Sequence, residues 1–333
     1  MHSGSKTIKK DLSLINNKLL LIAEKADKLV PGIKKHLLGG GKKLRPSLLM
    51  LAYRVFRSGN KDLYFQQALN YGAVIEMLHN ASLLHDDVIE GADLRRGRKT
   101  INALYGNKRA VLAGDLLTAF SMSLLYNLKS SKTMEKTIKI FGRASRELVQ
   151  GEIEEVTGLF KTNITEKEYF RVISGKTAGL FVLASEAGAV LARADKKSVK
   201  AMREYGRNLG LAFQIVDDIL DFTGEEAVLG KPVGSDILEG KLTLPVIYAL
   251  KKADENEKEK IKDILLCIRE GKKEKGGVKY IVEVLKKYGC LEAAYRTAEI
   301  YVKKAKAALS KIPDNEFRKA LMKAASFTLE RDH

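Results

Sequence analysis

The sequence predicts an all-α fold, a bundle of helices around a deep central cavity. Three observations predict it. Apolar residues recur at three- and four-residue spacing along almost the whole chain, which is helical periodicity. Alternating β-branched runs, the mark of strands, are scarce. Proline, the strongest helix breaker, occurs only 5 times in 333 residues.

Element boundaries follow from clusters of Gly, Pro and Asn. Breaks are expected at Pro31-Gly32, Gly39 to Gly41, Gly59-Asn60, Gly106-Asn107, Gly224, the loop 230–240, Gly271 to Gly277 and Pro313 to Asn315. They divide the chain into about ten to thirteen helices with short connections. No Gly/Pro-rich linker interrupts it, so residues 1–333 read as one domain with 1–9 as a flexible N-terminal extension. That extension is polar and Lys-rich, without the apolar centre of a signal peptide. No run of 18 uncharged apolar residues occurs, so no membrane span is expected.

Composition narrows the function classes. At 45% hydrophobic residues, a sizeable core is available. The formal net charge of +18 favours anionic partners. Much of that charge is spread over solvated helix faces, as in KKADENEKEKIKD. There is no zinc-ligand spacing, aromatic RNA-binding signature or concentrated basic tail, which argues against a nucleic-acid partner. Cys267 and Cys290 fall in apolar helical stretches and read as free buried thiols, which fits a reducing cytoplasm.

The most informative stretch is residues 74–97, VIEMLHNASLLHDDVIEGADLRRG. On a helix, Val74, Met77, Ala81, Leu84 and Val88 form one apolar stripe. His79, Asp86 and Glu90 fall opposite it, with Asp87 at the edge. About 130 residues later, NLGLAFQIVDDILDFTG repeats the design. Leu209, Ala212, Val216, Ile219 and Leu220 make its apolar side; Gln214, Asp217 and Asp221 share the other, flanked by Asp218. Clustered carboxylates repel and destabilise a helix unless a cation neutralises them. All-oxygen donors suit a hard cation, Mg²⁺ above all, which shares its ligands with substrate phosphates. One such motif alone reads as a solvated acidic face. Two copies, each opposite an apolar stripe and near cationic segments, read as a diphosphate clamp.

Five segments in order resemble trans-polyprenyl diphosphate synthases: GGGKKLRP (39–46), HDDVIEGADLRRG (85–97), GKTAGLF (175–181), FQIVDDILD (213–221) and GKPVGSDILEGKLTLP (230–245). The resemblance runs from about residue 10 to FTLER at 327–331. It implies the isoprenoid synthase-type helical fold, a homodimer and several Mg²⁺ ions, three per active site. It also implies that an allylic diphosphate is condensed with isopentenyl diphosphate, through ionisation of the allylic partner. By the same resemblance, Asp86, Asp87 and Asp217 ligate Mg²⁺, supported by Asp218 and Asp221. Arg95 matches the allylic-diphosphate arginine. Arg96 matches the one for isopentenyl diphosphate, joined by Lys42, Arg45 and His79. Lys176, Thr177, Gln214, Lys231 and Lys241 match the remaining diphosphate and carbocation-site residues. One departure is Glu90, where the family usually has Asp; metal binding is expected to persist, and Asp93 lies one turn on.

Other readings weigh less. GKT at 175–177 is not a P-loop, because Phe170 stands where that loop needs Gly. His36 reads as a surface residue, and His85 as an orienting neighbour of the motif. A class I terpene cyclase would carry Asn, Ser or Thr in the second motif and an aromatic pocket; here Asp217, Asp218 and Asp221 stand, and Trp is absent. A non-catalytic subunit of a heteromeric synthase would lose acidic motifs, and both survive. By the same resemblance, chain length turns on the small residues Ala81 and Ser82, Ser82 lying about one turn, roughly 5 Å, before Asp86. A tail can pass them, so a medium- or long-chain product of the octaprenyl kind is expected, with geranylgeranyl diphosphate as the alternative. Phe120, Met122 or residues from Glu147 to Glu154 would supply a deeper floor. Transient membrane contact would serve release of so apolar a product.

Overall fold

Periodicity becomes packing at the first helix. Ile8, Asp11, Ile15 and Leu19 lie on one face of α1 (Ser3–Asp27) and are buried. Residues 3–9 belong to this helix, and Ile8 continues its buried stripe. Asp11 meets Arg54 through hydrogen bonds of 2.9 and 2.7 Å, a buried bidentate pair in which each charge compensates the other.

The computed structural model describes residues 3–57, 63–95, 97–126, 131–224, 233–272 and 276–330. After α1 come α2 (Ile33–Leu38), α3 (Leu44–Phe56) and α4 (Leu63–Ile89). A two-residue hairpin follows, β1 (Leu94–Arg95) against β2 (Arg98–Lys99). Then come α5 (Ile101–Tyr105), α6 (Asn107–Tyr126), α7 (Lys132–Thr157), α8 (Glu166–Ile173), a π-helical turn (Ser174–Ala178), α9 (Gly179–Leu191) and α10 (Lys196–Thr223). The chain continues with α11 (Ser235–Leu238), α12 (Leu244–Lys252), α13 (Glu255–Arg269), α14 (Gly277–Lys287), α15 (Cys290–Ala308) and α16 (Glu316–Phe327). The class is all-α, as the periodicity requires. One short helix, α11, lies within the loop expected at 230–240, and two others adjoin expected breaks. Helix α2 follows Gly32 at φ 92°, α5 ends at Gly106 at φ 81°, and α11 follows Gly234 at φ 75°. Gly59-Asn60 and residues 225–232 lie outside the described residues.

Two compact units divide the chain: Met1–Ser145 with Leu180–Gly206 and Ala307–Ala324, and Arg146–Gly179 with Arg207–Lys306 and Ala325–His333. In the first, α4 packs on α6, α3 and α1. Tyr53, Tyr71, Phe181 and Tyr205 are fully buried there. The Tyr71 hydroxyl donates to Thr137 O at 2.7 Å, so its burial leaves no unmet donor. In the second unit, Tyr169, Ile215, Ile219, Leu244, Ile261 and Leu285 form the core. Thr165 starts α8 with a capping box. Its hydroxyl accepts from Glu168 N, and the Glu168 carboxylate accepts from Thr165 N. Both cysteines are free; Cys290 is buried, whereas Cys267 is only half-buried. Among the described residues no helix is long and apolar enough to cross a membrane.

Candidate active site

The first acidic motif ends α4, and that location is costly. Carboxylates at a helix C-terminus face the negative end of the helix dipole, and the last turn of α4 has no basic residue. The balancing cation comes from the hairpin. Gly91, at φ 65°, stops the helix in the left-handed conformation. Ala92 N then donates to Asp87 O at 2.9 Å. Asn102 Nδ2 donates to the carbonyls of Asp87 and Ala92 at 3.2 and 3.0 Å. The chain so turned brings Arg95 Nε to Asp87 Oδ1 at 2.5 Å and Arg95 Nη2 to 3.8 Å from Glu90 Oε2. Asp87 is fully buried, and its Oδ2 accepts no hydrogen bond in the described structure. Burial pushes its carboxyl up in pKa, against the downward pull of Arg95. The helical wheel had put Asp87 at the edge of an exposed stripe; Arg95 and Asn102 close over it instead. Asp86 and Glu90, one turn apart, are half-buried. Asp93 is exposed.

The glycine-rich loop before α3 is tied down by a residue the sequence reading passed over. Lys43, itself left-handed at φ 45°, donates to Leu37 O and Glu76 Oε1, both at 2.9 Å. Its neighbour Lys42 is exposed. Arg45 Nη1 donates to His79 Nε2 at 3.0 Å. That bond needs a neutral ring with its proton on Nδ1. The Arg45 guanidinium also lies 5.2 Å over the Phe181 ring. Ser82 donates to His79 O at 2.8 Å, and Ala81 beside it is buried. His36, read as a surface residue, is half-buried, with Nε2 3.3 Å from Asn80 O.

The second motif ends α10, again with no basic residue in the last turn. Its three carboxylates occupy three environments. Asp218 is buried and accepts from the Tyr169 hydroxyl at 2.5 Å and Gln214 Nε2 at 2.8 Å. Gln214 Oε1 accepts from Thr177 Oγ1 at 2.6 Å, which extends the network. Burial, then the charge of Asp236, and to a lesser extent Asp217, push the Asp218 carboxyl well above its usual range. Asp221 is also buried. It accepts from Ser235 Oγ at 2.7 Å and Asp236 N at 3.2 Å, so it anchors the start of α11. Asp217 is half-buried. Asp218 and Asp221 thus leave the outward arrangement expected of them, because Tyr169, Gln214 and the turn at 234–236 supply donors.

Lys176 occupies the π-helical turn, a feature that recurs at functional sites. A Cβ on Gly151 would lie 2.5 Å from Lys176 N, and one on Gly175 2.5 Å from Glu147 O. The turn and α7 therefore meet backbone to backbone. That contact sets Lys176 Nζ 2.9 Å from Glu152 Oε2 and 2.5 Å from Glu155 Oε1. Lys241 Nζ lies 3.7 Å from the same Glu155 oxygen and 2.7 Å from Glu239 Oε2.

The sequence-predicted residues fall into four groups, two in each unit. Arg45 joins His79, and Arg95 joins Asp87 and Glu90; separately, Thr177, Gln214 and Asp218 form a chain, and Lys176 and Lys241 converge on Glu155. Arg96 and Lys231 lie outside the described residues. Among proposed deeper floor residues, Phe120 is half-buried, whereas Met122 is 51% exposed. Sequence reasoning missed Asn102, Tyr169, Asp236 and Glu155, and offered Glu152 only within a span for the chain-length floor. Asp236 lay inside a quoted motif. Among the described residues no three His, Cys, Asp or Glu side chains form a metal-binding group.

Over residues 27–285 the chain matches the family described as Polyprenyl synthetase. It is 35% identical over 300 residues to the short chain isoprenyl diphosphate synthase of Methanothermobacter thermautotrophicus, covering 90% of this chain and 89% of that one. The decaprenyl diphosphate synthase from Rhodobacter capsulatus superposes with a TM-score of 0.88 at 36% identity, over 99% of this chain and 98% of that one. A polyprenyl synthase from Caulobacter crescentus, complexed with calcium and isoprenyl diphosphate, also gives a TM-score of 0.88, at 35% identity over 99% and 97% of the two chains.

Proposed function

The chain belongs to the polyprenyl synthetase family and is a prenyltransferase that makes polyprenyl diphosphates, and we propose that its two acidic motifs act together on one allylic diphosphate. The co-substrate is isopentenyl diphosphate, and the product an all-trans polyprenyl diphosphate of medium or long chain. Relatives span short-chain to decaprenyl synthases, so the length rests on Ala81 and Ser82.

One observation carries the reading. Carboxylates are twice clustered near the dipole-negative end of a long helix without a basic residue in the last turn, and Arg95 alone offsets the first cluster, an arrangement that favours an added cation. The donor set fits a hard divalent ion. It consists of carboxylate oxygens, and one of them, Asp87 Oδ2, is buried without a hydrogen bond. Asp86 and Asp87 on α4, Glu90 just after it, and Asp217 on α10, with Asp218 and Asp221 behind it, are the groups that would hold Mg²⁺, three ions by family resemblance. When bound, Mg²⁺ neutralises diphosphate oxygens and so eases departure of pyrophosphate.

The chain's own residues do the rest. Arg95, steadied by Asp87, and Lys176 and Lys241, steadied by Glu155, offer cations to the leaving group. Lys42, Arg45, Arg96 and His79 hold isopentenyl diphosphate, with His79 able to donate from Nδ1. Lys231 joins the leaving-group cations. The allylic C–O bond breaks with its electron pair leaving on pyrophosphate. The isopentenyl double bond then forms the new C–C bond, and a proton passes to pyrophosphate as the alkene is restored. Thr177 and Gln214, ordered by Asp218, flank the allylic carbon. Exposed Leu112, Met122 and Tyr126 on α6 support a homodimer. The unpaired thiols support a reducing, cytoplasmic setting.

Incubation with farnesyl diphosphate, labelled isopentenyl diphosphate and Mg²⁺ tests this. Mass analysis after dephosphorylation should show chain-lengthened alcohols, lost with EDTA. A ladder ending at geranylgeraniol would replace the longer-chain reading. Cyclic hydrocarbons would make the enzyme a cyclase, and no turnover a non-catalytic subunit.

A further inference from the structure

Beside the first acidic motif, the first unit holds a basic cavity of about 110 Å³ between α2, α4, the hairpin and α5. Lys35, His36, Arg95, Arg98 and Lys99 line it, and no carboxylate does. Leu83, Ile101 and Leu104 add an apolar wall. Lys42, Arg45 and His79 are not among its lining residues.

Three features mark it as built for an anion. The hairpin sets Arg95 directly opposite Arg98. Like charges so opposed repel, and an anion between them removes the cost. Arg98, though exposed, lies against the end of α2: a Cβ on Gly39 would lie 2.4 Å from Arg98 Nη1. Finally, Lys35, Arg98 and Lys99 have no carboxylate partner among the described residues. Neighbouring cations do, as in Lys34–Glu24 at 3.2 Å and Lys43–Glu76 at 2.9 Å.

We propose that this cavity binds a second diphosphate group, sharing only Arg95 with the site of condensation, and that occupancy weakens the Arg95–Asp87 ion pair. A guanidinium presents five donors, and a diphosphate bridging Arg95 and Arg98 competes with Asp87 for them. The cavity holds a head group and a short apolar stub, not a long tail. Free pyrophosphate and a prenyl diphosphate head group share this chemistry. Loss of the Arg95 contact would leave Asp87 buried and uncompensated, so the site is inhibitory. That consequence, unlike the binding, rests on the proposed function.

Calorimetric titration of the full chain in EDTA, where no condensation runs, tests the binding. Inorganic pyrophosphate and isopentenyl diphosphate are titrated separately into wild type, Lys35→Ala, Arg98→Ala and Arg98→Glu. One class of pyrophosphate sites should weaken about tenfold in each alanine variant, the effect of losing one charge-assisted hydrogen bond. It should vanish in Arg98→Glu. Uptake of isopentenyl diphosphate by the same class identifies a tailed ligand; uptake of pyrophosphate alone identifies the free anion. Kinetic assays should show unchanged KM values for both substrates and relief from pyrophosphate inhibition in the variants. Identical titrations for wild type and variants would overturn the proposal. So would a KM for isopentenyl diphosphate that rises as binding falls, because the cavity would then belong to the substrate site. Lys35 is exposed, and its variant decides the matter if those at Arg98 do not fold. An inactive enzyme would sink the functional reading and leave the titration intact.

Discussion

Asp87 and Arg95 show how little of a residue's energetics a helical wheel contains. Asp87 is buried at the wrong end of a helix dipole, and Arg95, eight residues on, offsets it through a contact of 2.5 Å. Arg95→Ala should therefore destabilise the protein by about 3 kcal/mol, the cost of an uncompensated buried charge, as read from urea unfolding. Asp87→Asn, which removes the charge but keeps the shape, should cost less. The acidic residues themselves were legible, since two carboxylate clusters, each opposite an apolar stripe, have few other readings. Their different burial was not. It depends on donors from remote sequence, namely Asn102 for the first motif, and Tyr169 and Ser235 for the second. Ala81 is a case where residue type alone makes a prediction. A tyrosine there should shorten the product ladder measured by mass; an unchanged ladder would remove Ala81 from the account of chain length.

At the scale of elements, long amphipathic helices were legible and short or irregular ones were not. Helices α4 and α10 carry their signal over several turns. Helices α2, α5 and α11 sit among glycines whose positive φ values mark breaks, and one or two turns give no periodicity to read. The π-helical turn has no periodicity to read, and it meets α7 through the close backbone approach of Gly151 and Gly175. Adding a methyl at either glycine should force that contact apart. Gly175→Ala should cost about 1–3 kcal/mol of stability, the usual penalty for overpacking, and lower the melting temperature. It should also raise the KM for the allylic diphosphate, since Lys176 would lose its placement against Glu152 and Glu155. A lower melting temperature with unchanged KM would show that Lys176 does not touch that substrate.

Over the whole molecule, the fold class and the family were legible because they depend on features summed along the chain. Helical period, sparse proline and five motifs in order each average over many residues. Partners are harder, because they depend on surfaces. The +18 charge predicts that KM for both diphosphates rises with ionic strength, as exposed cations are screened over about 10 Å at 0.1 M salt. The exposed residues of α6 predict a dimer in sedimentation, dissociated by Leu112→Glu with Tyr126→Lys. The central claim is that residues 86–90 and 217–221 serve a single diphosphate. A crystal grown with Mn²⁺ and an unreactive farnesyl thiodiphosphate measures this directly. Anomalous peaks should join one diphosphate to Asp86 or Glu90 on one side and to Asp217 on the other. Metal bound at only one motif, or a diphosphate out of reach of Asp217, would contradict it.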